Sequence, residues 1–195
     1  MKSRLSSIFV VAAMAAGLQF GTIAPAQAAD YEIDTAHSFI NFRTLHLGYS
    51  WLVGRFNRFE GGMTFDSGGE LADQSIDVTI DTTSLDTNHA TRDRHLRGGR
   101  YLDVDTHPTA RFVSTGFDGD ASGGILTGDL TFMGETRSIA FEVTLIGEGG
   151  DPWGGYRAGF EGSFVLTPAD FGLNYNLGPG AEQVIVEMLI EAVKQ

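Results

Sequence analysis

The sequence predicts an all-β, antiparallel domain. Apolar and polar residues alternate with period two through eight separate segments, which is the signature of half-buried strands. The segments are joined by short runs rich in Gly, Asp and Ser, the residues that turns demand. Only one short stretch, near residues 88–97, reads as helix.

The first 28 residues stand apart. A basic start (Lys2, Arg4), an apolar run from Ile8 to Phe20 and the small-x-small ending Ala26-Gln27-Ala28 form the layout of a secretory signal peptide. The run is shorter than the ~20 residues a membrane-spanning helix needs. Cleavage after Ala28 leaves residues 29–195 as a single domain and implies a periplasmic protein. It also removes two cations, taking the formal net charge from −12 to −14. Such a surface repels phosphate backbones, so nucleic acid is excluded as a partner, and it disfavours tight electrostatic docking on anionic lipid. Stable membrane insertion is not expected. The chain has no cysteine, so burial alone must hold the fold.

The strands follow in order. Ile40, Phe42 and Thr44 share one face, with Asn41 and Arg43 on the other. A second segment runs from Leu52 to Phe65, bent at Gly54 and Gly61-Gly62. Ile76, Val78 and Ile80 alternate with Asp77, Thr79 and Asp81. Ala110, Phe112 and Ser114 form a fourth face, and Leu126, Gly128, Leu130 and Phe132 a fifth. Ile139, Phe141, Val143 and Leu145 align in segment 136–146. Ala158, Phe160, Gly162, Phe164 and Leu166 repeat the pattern, and Val184, Val186, Met188 and Ile190 close it. Turns are expected at 133–135, 118–124 and 147–155. Successive hairpins favour an antiparallel meander. Eight such strands can close into an up-and-down barrel around one ligand, and a two-layer sandwich is the alternative. Phe42, Phe65, Phe112, Phe132, Phe141, Phe160 and Phe164 supply the inner faces, while Ala110, Gly128, Ala158 and Gly162 leave room that a cavity needs.

Catalytic signatures are absent: no Gly-x-Ser-x-Gly, His-Glu-x-x-His, phosphate loop or dinucleotide fingerprint occurs. Asp34, His37 and Ser38 hold the residue types of a hydrolase triad, but adjacent residues of a strand point to opposite faces, so they read as structural. His46 shares the inward parity of Ile40 and Phe42 and is a candidate polar contact for a ligand. In Asn88–Pro108, His89, Asp93 and His95 have poor spacing for a metal, and no metal site is expected. A short helix capped by Asp86 or Thr87, ended by Gly98-Gly99 and braced by an Asp93–Arg97 pair fits better.

Several motifs then converge. Tyr31-Glu32-Ile33-Asp34, His37–Phe42, Gly54–Gly61 (G-x-F-x-x-F-x-G), Ser84–Thr87, Arg92–Arg97, Asp103-Val104, His107-Pro108, Gly128–Gly134 and Asp170-Phe171-Gly172 occur in the order of the YceI-like family, which the chain resembles. Departures are Tyr101-Leu102, where the family commonly has an aromatic pair, and Pro168, where a basic residue is frequent. The resemblance implies an extended eight-stranded antiparallel lipocalin-like barrel with a helical segment near 88–97. It also implies a long apolar tunnel for an isoprenoid lipid, polyprenyl or isoprenoid quinone, and no other cofactor.

The tunnel candidates are Ile40, Phe42, His46, Phe65, Ile76, Val78 and Ile80, followed by Phe112, Leu130, Phe132, Phe141, Val143, Phe160 and Phe164. Arg92, Arg94, His95 and Arg97 are candidate head-group or rim contacts. A non-enzymatic carrier is the leading reading. A lipid-acting enzyme using His46 or His95 and a stress-related structural barrel are the alternatives. The oligomeric state, a dimer included, stays open.

Overall fold

The computed structural model describes residues 28–65, 74–174 and 178–195; the expected leader, but for Ala28, lies outside them. The strands are β1 (Ala29–Ile33), β2 (Phe39–His46), β3 (Ser50–Phe56), β4 (Phe59–Phe65), β5 (Ser75–Asp81) and β6 (Leu85–Asp86). After helix α1 (Ala90–Arg97) come β7 (Thr109–Asp120), β8 (Gly123–Phe132), β9 (Glu135–Gly150), β10 (Tyr156–Leu166) and β11 (Val184–Lys194).

These segments build eight long strands. β1 and β2 are one strand broken at 34–38, and β3 and β4 are one strand broken at Asn57-Arg58. All pairings are antiparallel, in the order β1-β4-β5-β7-β8-β9-β10-β11, and β11 returns to β1 through Tyr31↔Lys194, Glu32↔Val193 and Ile33↔Ala192. The sheet is therefore a closed barrel and not a sandwich. Up-and-down order places the β2–β3 hairpin, α1 and the 133–134 turn at one end. The 121–122 and 151–155 turns and both strand termini lie at the other.

Inward parity follows the alternation read from the sequence, but boundaries shift. β1 was not expected as a strand, because its five residues carry too little alternation to stand out. The turns are shorter than expected. The 118–124 loop shrinks to Ala121-Ser122, because Asp120 Oδ1 accepts the Ser122 amide at 2.8 Å. The 147–155 loop shrinks to 151–155, where Asp151 Oδ1 accepts the amides of Trp153 and Gly155. Met133 and Gly134 both have positive φ (53° and 79°), as a two-residue primed hairpin turn requires.

The break at 34–38 interrupts the seam beside β11, and side chains repair it. The Asp34 amide donates to the Glu191 carbonyl at 2.8 Å. The buried Ser38 hydroxyl donates to that carbonyl at 3.1 Å and accepts the Glu191 amide at 2.9 Å. Arg157 on β10 then spans the outer face. Its guanidinium donates to Asp34 Oδ2 (2.6 Å), Asp151 Oδ2 (3.0 Å) and Glu191 Oε1 (2.5 Å), tying β1, the β9–β10 turn and β11 together. The Arg157 contact, aided by His37 Nδ1 at 2.9 Å, lowers the Asp34 carboxyl from 3.8 to about 2. Ser38 and His37 thus have separate structural partners, as the sequence reading of that trio held.

Helix α1 has eight residues, fewer than the ~12 an isolated helix needs, so its neighbours must hold it. They do so through polar contacts. Asp93 is buried and accepts both the amide and the hydroxyl of Thr87. Arg92 Nε donates to Thr87 Oγ1 at 2.7 Å, and Arg97 Nη2 to the Leu85 carbonyl at 2.6 Å. Two expectations are corrected here. The Asp93–Arg97 pair gives way to these contacts. The N-cap is His89, whose Nδ1 accepts the Arg92 amide at 3.2 Å, because Thr87 is engaged by Asp93 and Asp86 Oδ1 accepts the Asn88 amide.

Two predictions follow from these clamps. Asp34 contributes stability that is complete above about pH 4 and lost as pH falls through about 2, worth about 2 kcal/mol. Urea midpoints measured from pH 7 to pH 2 should show that step, and Arg157→Gln should flatten it. Asp93→Ala strands two buried Thr87 donors, so global stability should drop by about 3 kcal/mol. Hydrogen exchange in residues 90–97 should rise with it. Unchanged exchange there would mean that Asp93 does not moor the helix.

Candidate functional site

The barrel interior holds two cavities that share Val186 in their walls. The one deeper from the helix end, about 140 Å³, extends to the 121–122 turn and is walled chiefly by hydrocarbon, with Ile76, Val143, Phe112, Phe141, Phe160 and Phe164 among its residues. The outer one, about 630 Å³, lies at the helix end between β2, β3, α1 and the segments around 101, 166–174 and 181–184.

Aromatic packing explains why space survives between so many rings. Phe141 stacks on Phe164 at 5.4 Å and tilts against Phe112 at 5.6 Å, and Phe65 meets Phe160 edge-on at 5.0 Å. These contacts arrange the rings along the wall. Two glycines let rings lie flat against the sheet: a Cβ on Gly54 would meet the Phe42 ring at 2.3 Å, and one on Gly128 the Phe112 ring at 2.4 Å. The expected role of Gly128 as room for a ligand is corrected accordingly: Phe112 occupies that space. Gly162 does line the deep cavity, whereas Ala110 and Ala158 are buried in the core away from both cavities.

The expected tunnel residues all reach a cavity wall. Ile40, Phe65, Ile76, Val78, Ile80, Phe112, Leu130, Phe141, Val143, Phe160 and Phe164 line the deep one; Phe42, His46 and Phe132 line the outer one. Of the expected rim groups, Arg92 and His95 face the outer cavity. Arg94 and Arg97 line neither cavity, and Arg97 is turned to the Leu85 carbonyl.

The structure adds Thr44, His89, Tyr101, Asn174 and Glu182 to the mouth. His89 and Tyr101 lie in the stretch Asn88–Pro108, but nothing in a sequence marks which of its side chains turn inward. Because His89 Nδ1 accepts the helix-cap bond, the neutral ring carries its proton on Nε2 as a donor. The mouth therefore combines hydrocarbon walls with a few hydrogen-bonding groups, and the depth is almost wholly apolar.

Outside the barrel, Asp34, His37 and Glu191 cluster closely enough to resemble a metal site. Arg157 already occupies both carboxylates, and an arginine fork there neutralises the charge a cation would need. The cluster belongs to the seam.

Known proteins share this architecture. The chain is 49% identical over 187 residues to a UPF0312 protein of Pseudomonas aeruginosa, covering 95% of this chain and 97% of that one. It is 46% identical over 185 residues to the protein YceI of Escherichia coli O157:H7, covering 92% and 96%. Among solved structures, BcnA of Burkholderia cenocepacia superposes with a TM-score of 0.73 at 22% identity, over 82% of this chain and 98% of that chain. A polyisoprenoid binding domain from Saccharophagus degradans superposes with a TM-score of 0.65 at 18% identity, over 85% and 98%. The family profile described as the YceI-like domain matches residues 31–192, the whole barrel from β1 into β11, and the chain belongs to that family.

Proposed function

We propose that the chain is a non-enzymatic, periplasmic carrier that holds one long isoprenoid lipid in its barrel. The observation that carries this reading is the pair of cavities meeting at Val186, apolar at depth and sparsely polar at the mouth. A 140 Å³ hydrocarbon cavity is the size of one that stays dry and accepts a benzene-sized guest, at about 150 Å³. A 630 Å³ cavity lies inside the ~300–1,000 Å³ range of small-molecule sites. Together they suit a ligand that is long, thin and apolar with one modest polar end. Each buried CH₂ contributes about 0.8 kcal/mol, so a few isoprene units offset the cost of ordering a floppy chain. The match to a polyisoprenoid binding domain supports the same ligand class.

Among isoprenoids, the mouth favours a neutral head such as a quinone over a phosphate. Arg92 already donates to Thr87 and Arg97 to Leu85, so the guanidinium groups are largely committed. The His89 Nε2 donor and the Tyr101 ring suit a carbonyl-bearing ring. A phosphate would also bring its charge beside Glu182, in a strongly acidic protein.

The alternatives fare worse on the same geometry. A structural barrel filled to normal density would not leave these volumes. An enzyme needs an oriented acid–base pair, and among the described residues neither His46 nor His95 is hydrogen-bonded to a carboxylate. The periplasmic part rests on the leader-like residues 1–28 and on β1, which begins at Ala29, the first residue after the expected cut.

Organic extraction of the protein purified from its native host, followed by mass spectrometry, should release an isoprenoid; repeated recovery of an empty barrel would sink the carrier reading. Val186→Phe should narrow the passage between the cavities and cut retention of a long isoprenoid about tenfold while sparing short prenyl alcohols, measured by competition binding. Equal loss of both would point to general disruption instead.

A further inference from the structure

The β2–β3 hairpin stands at the mouth of the outer cavity, and its side chains sort by direction. Leu45, His46 and Leu52 line the cavity. Leu47, Tyr49, Trp51 and Val53 face solvent, 43%, 86%, 49% and 59% exposed. So much apolar and aromatic surface at one tip marks a contact site. The tip is braced. Gly178 and Gly180, both at positive φ (95° and 82°), bring their backbone close against Leu47 and Leu45, leaving no room for a Cβ.

Charge is arranged around the same end. Asp93 points inward to Thr87, which takes the helix's own acid out of play and leaves Arg94 and Arg100 exposed beside it. Arg43 lies 5.0 Å over the Trp51 ring, next to the tip, and is paired with Glu187 at 3.3 Å. The protein as a whole carries a formal net charge of −12. Asp105, Glu135 and Glu182 are exposed at this end as well, so an anionic surface is attracted locally, to Arg94 and Arg100, and not to the rim as a whole. With screening over about 8 Å, only the charges close to the surface count at contact, so the acidic body does not veto docking by this end.

We propose that this hairpin and the arginines beside it dock the barrel, mouth first and reversibly, on an anionic phospholipid bilayer. Trp51 and Tyr49 take the headgroup zone that amphipathic aromatics prefer, Leu47 and Val53 reach the acyl boundary, and Arg94 and Arg100 meet lipid phosphates. The inference rests on the lipid-carrier reading for its purpose. A hydrocarbon ligand is nearly insoluble, and docking here joins the cavity to the bilayer without a passage through water.

The test is sedimentation of the mature chain with vesicles of phosphatidylcholine and phosphatidylglycerol. Tyr49→Ser/Trp51→Ser should lower vesicle partitioning about tenfold. Tyr49→Ser alone, at the most exposed of these side chains, should give part of that loss with an unchanged melting temperature. Arg94→Glu/Arg100→Glu should lower binding to these vesicles but not to pure phosphatidylcholine. Trp153→Ser, at the opposite end of the barrel, should change nothing. In a Trp153→Phe background, Trp51 emission should shift to the blue on vesicle addition.

Wild-type protein that stays in the supernatant, or a double variant that sediments like wild type, would overturn the proposal. So would a wild-type dimer that the double variant makes monomeric without any vesicle binding, since the hairpin would then serve a second copy of the chain. Mass spectrometry of lipid retained by the wild-type protein keeps the two readings apart. An empty cavity with intact vesicle binding overturns the carrier and supports the docking; a loaded cavity with no vesicle binding does the reverse.

Discussion

One edge of β11 has to serve two strands, and the rest of the barrel depends on that division. Residues Ile185–Leu189 pair with β2, Ala192–Lys194 pair with β1, and Glu191 falls in the gap where the first strand breaks. Without closure there, β1 and β11 would be free edges of an open sheet, and the apolar inner face would have no opposite wall. Backbone pairing cannot cross the break, so side chains complete it. Ser38 satisfies the Glu191 amide and carbonyl from within, and Arg157 gathers Asp34, Asp151 and Glu191 from outside. Residues that look catalytic in sequence are thus committed to closing a ring. The commitment is physical: a buried amide left unpaired costs about 1–3 kcal/mol, and three carboxylates without their arginine would repel one another.

Much of this was legible in the sequence, because period-two alternation survives translation into structure almost unchanged. Every face from Ile40–Thr44 to Val184–Ile190 points inward as its spacing implies, and the expected tunnel residues reach one cavity or the other. Even the long segment from Leu52 to Phe65 proved to be a single strand in two parts. Some of what could not be read depends on contacts between distant residues. The closing strand β1 is five residues long, and its identity comes from partners at least 30 positions away on β4 and at least 159 away on β11. The helix cap eluded propensity rules for a local reason: other side-chain bonds had already taken Asp86 and Thr87, leaving a histidine to do what serine or aspartate usually does. Gly128 misled for a similar reason. A glycine on an inner face signals a close approach, but the sequence does not say whether a ligand or a neighbouring ring makes it.

The basic stretch 88–108 shows one segment holding two roles through different atoms of the same side chains. Arg92 donates Nε to the Thr87 hydroxyl and Nη2 to the Thr87 carbonyl, and Arg97 donates Nη2 to the Leu85 carbonyl, which seats the helix. The faces left over, with His89 and His95, form one side of the mouth. A count of charges overstates what this rim offers a ligand, because a guanidinium bound to a carbonyl is held in place and has fewer donors to give. The same commitment makes the rim rigid, and a rigid rim can present a small set of donors at fixed positions.

The unequal size of the two cavities follows from how the ring is completed along its length. Away from the helix, β4 pairs with β1 and β5, and every wall is hydrogen-bonded sheet. Eight paired strands enclose just enough space for side chains and a thin guest, and the cavity there is small. Towards the helix end β3 pairs with β2 on one side but meets only β6 on the other, at Arg55↔Asp86 and Phe56↔Leu85. β5 has by then ended at Asp81. The gap between β3 and β5 is bridged by the 82–84 turn, β6 and α1. The wide cavity therefore lies where the count of paired strands runs short, against the helix that fills the gap. A helix of eight residues held by side-chain bonds completes the wall there, and it places the polar groups of the segment around the opening rather than along the tunnel.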